Sequence, residues 1–501
     1  MVTFLDLPQD IILDSLLPTL PVPDVFSLYL TCRSMSRFIE DEVFWKRRCQ
    51  ADFDFDTTRP PCITGWRNVY RALNKPEVFV WGDTRNGRME VKDDSILQDG
   101  GAPYPIRVPM PMKSIVDIQG AGWCYYVLDA KGQVYVWGEL SRCSLVVDNH
   151  GPWNKTYTAH SPMRLALPTP IHKLSCGRKH AMALDSTGHI WVFVSWGRPF
   201  RLVTPLLDNS TPEKTIAQIE CGYSYCSVLT ESGDVYVFSP FFGRMAASYN
   251  DQMRMMDGAE NVMTEDKSSS NTIPCRTWDL LLDPDCLYRP PLGLPGLGSD
   301  KKLEGNGNNA PTIIKIAALV HSLVAVTNQG NVLRYDLFHG GSDTPFTGWE
   351  YLPEYSEDNK IKHLSTEGLI THVIANRDCF AAYSVSSKIF SSALLGEGRT
   401  NVTSRARYMP NPRHTQFTSI SMGDFHQALL SVDGKVYTRG NNLSGALGLW
   451  NNSDISRGQT KFKAKHPAQV IFDPEKTPDE QPFCVQVLAA GWQSAALVLG
   501  I

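Results

Sequence analysis

The chain has 501 residues, too many for one ordinary domain unless a repeated unit builds it. Its 42% hydrophobic and 10% aromatic content is that of a globular protein and excludes a wholly disordered one. The formal net charge of −4 argues against nucleic acid as a partner, because a phosphate-binding surface is usually clearly basic.

In chain order, residues 1–50 read as a small helical unit. Pro8 stands where a helix begins, at a position whose backbone N–H needs no partner. Leu7, Ile11 and Leu16 recur at roughly helical spacing, with Leu13, Leu17 and Leu20 beside them. Pro21 and Pro23 break that helix and Asp24 is placed to start the next, on which Val25, Leu28 and Cys32 share one face. Phe38 and Ile39 open another apolar patch, and Phe44 and Trp45 end the unit. A domain this small buries too little surface to be comfortably stable alone. So many apolar side chains imply that a partner covers some of them.

Leu7 and Pro8, Asp10 and Ile11, Leu16 and Leu17, Asp24, Cys32 and Arg33, then Phe44, Trp45 and Lys46 follow the ordered pattern of an F-box. Residues 3–50 resemble that family. Met35 stands where the family often has Trp, which weakens one core position and leaves the docking residues intact. The resemblance implies docking on the Skp adaptor of a cullin–RING ubiquitin ligase, with Leu7, Pro8, Ile11, Leu16, Leu28, Cys32, Arg33 and Trp45 as the contact. Residues 51–76 then form a linker. Trp66, Val69, Tyr70 and Leu73 predict a short amphipathic helix in it, packing the first module onto the rest of the chain.

Residues 77–501 repeat one motif: a small residue, a polar or aromatic residue three later, an apolar one at plus seven, Gly at plus eleven, and an aromatic or aliphatic at plus fourteen. Gly177, His180, Leu184, Gly188 and Trp191 fit it, as do Gly222, Tyr225, Leu229, Gly233 and Tyr236. Gly423, His426, Leu430, Gly434 and Tyr437 make a third copy, and Ala121, Cys124, Leu128, Gly132 and Tyr135 a fourth. Leu319, Ser322, Val326, Gly330 and Leu333 form a fifth; Asn376, Cys379, Tyr383, Ser387 and Phe390 form a degraded sixth. These last two lack the leading Gly, which predicts different turns there. The seventh copy is split: Gly491, Ser494 and Val498 supply its first half, and Val78, Phe79, Val80, Trp81 and Gly82 its second. Pairing across the two ends would remove the open strand edges of a ring. Each copy reads as two strands joined by a tight Gly turn.

The Gly-xx-His-xxx-Leu core, and a tail clearest at residues 439–448 and recurring at 81–87, resemble the repeats of the regulator-of-chromosome-condensation family. The expected fold is mainly β: a seven-bladed β-propeller of two-hairpin units over 77–501, preceded by a small all-α F-box domain at 1–50. Residues 240–312 interrupt the period and read as a partly disordered insertion. The run GLPGLG at 293–298 has no strand-to-helix context, and Pro295 removes a donor, so no phosphate loop is expected there.

Twelve cysteines lie scattered without CxxC pairs or Cys/His metal spacing, so a reducing compartment, cytoplasm or nucleus, is expected. Cys221 and Cys226 read as core. Asp6 and Asp10 without a basic start predict no signal peptide, and the longest apolar stretch, 313–326, contains Lys315 and His321 and is too short to span a membrane. No HExxH, Walker, GxSxG or HRD pattern is present, so no catalytic residue, metal or cofactor is expected. His180 and His426 occupy equivalent repeat positions and read as structural hydrogen-bonding residues. In the propeller family resembled, the loops after each leading Gly share one face. That implies a protein-binding surface at Trp123, Arg178, Lys179, Tyr223, His321, Arg377, Asp378, Asp424, Phe425 and Trp492. The expected function is therefore a non-enzymatic substrate receptor, with the Skp adaptor, the cullin–RING core and a protein target as partners. Guanine-nucleotide exchange on a small GTPase and chromatin binding are the alternatives that the propeller resemblance implies.

Overall fold

The computed structural model describes residues 8, 11–33, 40–53, 55, 65–89, 100–140, 158–257, 271–290, 311–337, 348–356, 369–384, 389–391, 407–408, 415–449 and 462–499. Leu7, Met35, Phe38, Ile39, Ser387 and the run 293–298 lie outside them.

The N-terminal module is helical. Its first turns are π-helical over Ile12–Leu16 and pass into a 3₁₀ turn, Leu17–Thr19, where Pro18 lacks the N–H that would continue a ladder. Helices α1 (Val22–Tyr29) and α2 (Glu42–Phe53) come next, and α3 (Trp66–Leu73) forms where the linker spacing predicts it. One cluster holds them together: Ile12, Leu17, Val25, Phe44, Trp45, Cys49 and Phe53 meet Val69, Tyr70 and Leu73 of α3, then Phe483 and Leu499 of the β body. The Tyr70 hydroxyl donates to Asp52 at 2.6 Å, and the Asn74 carbonyl accepts from the Ser114 N–H at 3.0 Å.

The β body is a ring of sheets. The closing sheet runs Gly101–Val108, Pro76–Asp83, Gln493–Leu499, Cys484–Ala490 in spatial order. The first sheet holds Ile115–Gly120, Cys124–Asp129, Val134–Glu139 and Thr158–Leu165; the second holds Ile171–Cys176, Ala181–Asp185, Ile190–Phe193 and Phe200–Val203. Among the described residues the third has only Ile216–Cys221, Cys226–Thr230 and Val235–Phe238. The fourth begins at Ile313–Ala318, the fifth at His372–Asn376 and the sixth at Phe417–Met422, each with four strands.

The expectation of seven equivalent two-hairpin blades is therefore corrected. Among the described residues six blades are complete, with four or five strands, and the third sheet stops at three. The cause is where the chain goes after Phe238. It enters helix α4 (Gly243–Asp257), and the segments beyond pair elsewhere: Thr272–Ile273 joins the outer edge of the first sheet and Trp278–Leu281 that of the second, both parallel. Aromatic packing fixes this choice. Phe200, Tyr249 and Trp278 lie with ring centroids 5.3–5.7 Å apart, and Met245, Met253, Leu280 and Leu287 are buried around them. The outer edge of the third sheet keeps a single antiparallel bridge, Val237 to Tyr288.

The split repeat closes the ring. Pro76–Asp83 pairs antiparallel with Gln493–Leu499, in register from Pro76↔Leu499 to Gly82↔Gln493. The repeat tails act as latches. The Trp137 indole donates to the Arg88 carbonyl, and the Trp81 indole to that of Ala446, each at 3.0 Å, so the tail of one sheet is held by the next. No helix among the described residues is long and apolar enough to cross a membrane.

Candidate interaction surface at the channel mouth

The innermost strands surround a central channel. At one end, α2 and α3 bring Phe53 and Leu73, with Phe55 between them in the chain, over a cavity of about 480 Å³ lined by Val116, Lys173, Lys315 and Val485. At the other end a second cavity of about 480 Å³ is ringed by the turns after each leading small residue, with Gly122, Arg178, Tyr223, Arg377, Asp424 and Gly491 on its lining. The helical module and this mouth lie at opposite ends of the channel.

Backbone chemistry builds the mouth. The N–H of each leading residue donates to the carbonyl three later: Ala121 to Cys124, Gly177 to His180, Gly222 to Tyr225 and Gly423 to His426, at 2.8–3.0 Å. Of the two residues between, the second is at least partly exposed at the rim in each of these turns. Leu319 closes the same turn on Ser322 at 2.9 Å, so the fifth copy keeps the geometry despite lacking the leading Gly. In the degraded sixth copy Arg377 takes a left-handed φ of 53° between the paired residues Asn376 and Cys379. Neighbouring turns then bond to each other, with the N–H of Asp424 donating to Gly491 and that of Val320 to Arg377, each at 2.8 Å.

The tail glycines set the aromatic rings. Gly138 and Gly440 have φ of 98° and 112°, and a Cβ on either would lie 2.4–2.5 Å from the carbonyl oxygen of Trp123 or Phe425. That closeness lets the next N–H, of Glu139 or Asn441, donate to the same carbonyl at 2.9–3.0 Å, anchoring the aromatic residue at the rim.

The structure brings the ten expected surface residues to this one end, most of them in contact. The Arg178 guanidinium stacks 4.7 Å over Trp123 and reaches across to Asp424 at 2.7 Å. Lys179 lies 5.4 Å over Tyr223, and Arg377 lies 5.2 Å over Phe425 and 3.5 Å from Asp378. Trp492 carries Arg85 at 5.7 Å, a partner the repeat pattern did not single out although it lies in the tail at 81–87. His321 is exposed at the rim. Cations and rings from adjacent sheets thus alternate around the mouth, the residue types that anchor protein interfaces.

Histidine placement divides the repeats. The His426 ring donates through Nε2 to the Ser494 hydroxyl at 2.8 Å, since that hydroxyl itself donates to the Ala446 carbonyl at 2.9 Å. Burial lowers the His426 pKa from 6.5 to about 4. Unfolding at acid pH lets this ring charge, so its contribution is full above pH 6.5 and is lost as pH falls toward 4. The difference is worth about 3 kcal/mol. Denaturant melts of His426→Gln are expected to show a shallower fall in stability between pH 7 and 4.5 than the parent; equal slopes would refute the assignment. His180 departs from that arrangement: it is fully buried, and among the described residues its ring nitrogens meet no oxygen or nitrogen partner and face the Cys221 thiol instead.

On the helical module, Pro8 and Arg33 are exposed, Leu16, Leu28 and Cys32 half-buried, and Ile11 44% exposed. Trp45 is only 1% exposed, packed among Phe26, Phe44 and Tyr70. Sequence spacing missed Leu30 and Val43, which are 80% and 54% exposed. Helical periodicity flags what is buried and is silent on apolar residues off that face.

No family model matches the chain. It is 27% identical over 192 residues to the F-box protein pof9 of Schizosaccharomyces pombe, covering 38% of this chain and 36% of that one. It is 23% identical over 223 residues to an RCC1-like G exchanging factor-like protein of Mus musculus, covering 40% and 46%. These alignments span less than half the length of either relative. Prp20p of Saccharomyces cerevisiae, whose crystal structure was described with its binding to Gsp1p and histones, superposes with a TM-score of 0.53 at 13% identity, over 87% of this chain and 95% of that one. The homologues of this chain include an F-box protein and an RCC1-like protein. At such identity the RCC1-like superposition shows the fold alone, and that fold is the β-propeller built above.

Proposed function

We propose that this chain is the substrate-recognition subunit of an SCF-type cullin–RING ubiquitin ligase, with a non-catalytic role. Its F-box module docks the Skp adaptor and the propeller mouth captures a protein target for ubiquitination and degradation. The observation that carries this reading is spatial. A helical module with F-box order and exposed Ile11, Leu30 and Val43 sits at one channel end, and a ring of cations and aromatics sits at the other. Exposed apolar side chains on so small a module suit a partner, and the likeness to pof9 supports an F-box reading. Leu7, Pro8, Ile11, Leu16, Leu28, Cys32 and Arg33 make the adaptor contact, joined by Leu30 and Val43, while buried Trp45 supports them from beneath.

The test is capture of purified Skp adaptor by the full chain. Ile11→Asp with Leu30→Asp is expected to weaken it at least tenfold with an unchanged melting temperature, because both side chains are exposed. Undiminished capture would refute the docking assignment. The likeness to an exchange-factor relative favours a second reading, guanine-nucleotide exchange at the mouth. Accelerated nucleotide release from a small GTPase, abolished by Arg178→Ala, would support it over the first.

A further inference from the structure

His180, Cys221 and Cys226 form a buried cluster between the second and third sheets, with their ligand atoms all within 4.8 Å of one another. The two cysteines are cross-strand partners on the third sheet, and both are free thiols. His180 enters from the second sheet, its ring edge-on to Phe241 at 5.4 Å. The repeat explains why this ring lacks a conventional partner. At the equivalent position His426 bonds Ser494, which stands three residues after the leading Gly of the next sheet. In the third sheet that place belongs to Tyr225, whose hydroxyl turns away to donate to the Ser322 carbonyl at 2.7 Å. The imidazole is left facing two thiols, and burying a polar ring unsatisfied costs free energy.

We propose that His180, Cys221 and Cys226 bind a d¹⁰ thiophilic cation, Zn²⁺ first, as a brace between the second and third sheets. Two thiolates and an imidazole are a ligand set that selects Zn²⁺ or Cu⁺ over harder ions. Zn²⁺ takes four ligands; Cys221 lines the central channel, so water from it completes the set. The location has a structural logic. Among the described residues the third sheet is the one with three strands, and its outer edge carries a single bridge. A metal tying its inner strands to the second sheet would reinforce a sheet whose outer edge has one bridge among the described residues. Residues of different repeats supply the ligands, so linear Cys/His spacing does not reveal them.

The full chain would be purified without chelator and its metal measured by plasma mass spectrometry. About one zinc or copper per chain is expected, and replacement by Co²⁺ should give a thiolate-to-metal absorption band. Cys226→Ser and His180→Ala are each expected to lose the metal, and chelation of the parent should lower its melting temperature. The parent measurement does not depend on the variants folding. A metal-free parent that takes up neither Zn²⁺ nor Cu⁺ would overturn the proposal, as would a Cys221–Cys226 disulfide in the freshly purified reduced-buffer protein.

Discussion

Deletion of the strand Gln493–Leu499 is expected to unfold the propeller rather than loosen one edge of it. That strand is central in the closing sheet, bonded on one side to Pro76–Asp83 and on the other to Cys484–Ala490. Ala495, Ala496, Leu497, Val498 and Leu499 are all buried. Burial of each large aliphatic side chain is worth about 1.5–3 kcal/mol, so three of them approach the whole net stability of a domain, about 5–15 kcal/mol. The deletion also strips hydrogen bonds from two neighbours and reopens the ring. Leu499 packs in the cluster that seats the helical module, so the seating of that module should be lost with it. Circular dichroism and limited proteolysis would read the result. A deletion that melts cooperatively within a few degrees of the parent would show that the ring does not depend on its closure.

This closure was legible in the sequence, because two half-motifs at distant positions completed one repeat. The third sheet was not. Its two Gly-flanked strands look like any other copy, and nothing local says that the described residues add no outer strand to it. That is decided by Trp278 and Tyr249 finding Phe200 on a neighbouring sheet, a long-range packing choice made within 240–312. The rim residues could be placed from the turn motif together with the propeller resemblance, which implies that the loops after each leading Gly share one face. Their pairing could not, because Arg178 and Asp424 come from sheets far apart in sequence. The F-box order marked the helical module, but it could not separate Trp45, which is buried, from Ile11, which is not.

Asp83→Ala is expected to cost about 3–5 kcal/mol, because it leaves a buried guanidinium without its counter-charge. Asp83 and Arg88 are 1% and 2% exposed and meet at 2.7 Å. Arg88 also donates to the Gln493 side chain at 3.0 Å and, through Nε, to the Arg85 carbonyl at 2.8 Å, while its own carbonyl accepts the Trp137 indole. Gln493 in turn donates to the carbonyls of Ala121 and Cys124. One ion pair therefore joins the first strand of the ring, the last strand and the neighbouring sheet. Burial pushes the Asp83 carboxyl up, but hydrogen bonds from Arg85 and the charge of Arg88 outweigh it and hold the group below its ordinary value of 3.8. A carboxylate whose folded pKa is depressed stabilises the protein above its unfolded pKa and loses that effect as pH falls through the folded value. The parent should thus lose this contribution below about pH 4, while Asp83→Ala lacks it throughout. Denaturant melts at pH 7 would give the difference. The double variant Asp83→Ala with Arg88→Leu should recover part of the loss, because the stranded charge is then removed too. If the single variant costs under about 1 kcal/mol, the range of an exposed pair, the pair does not hold the ring closed.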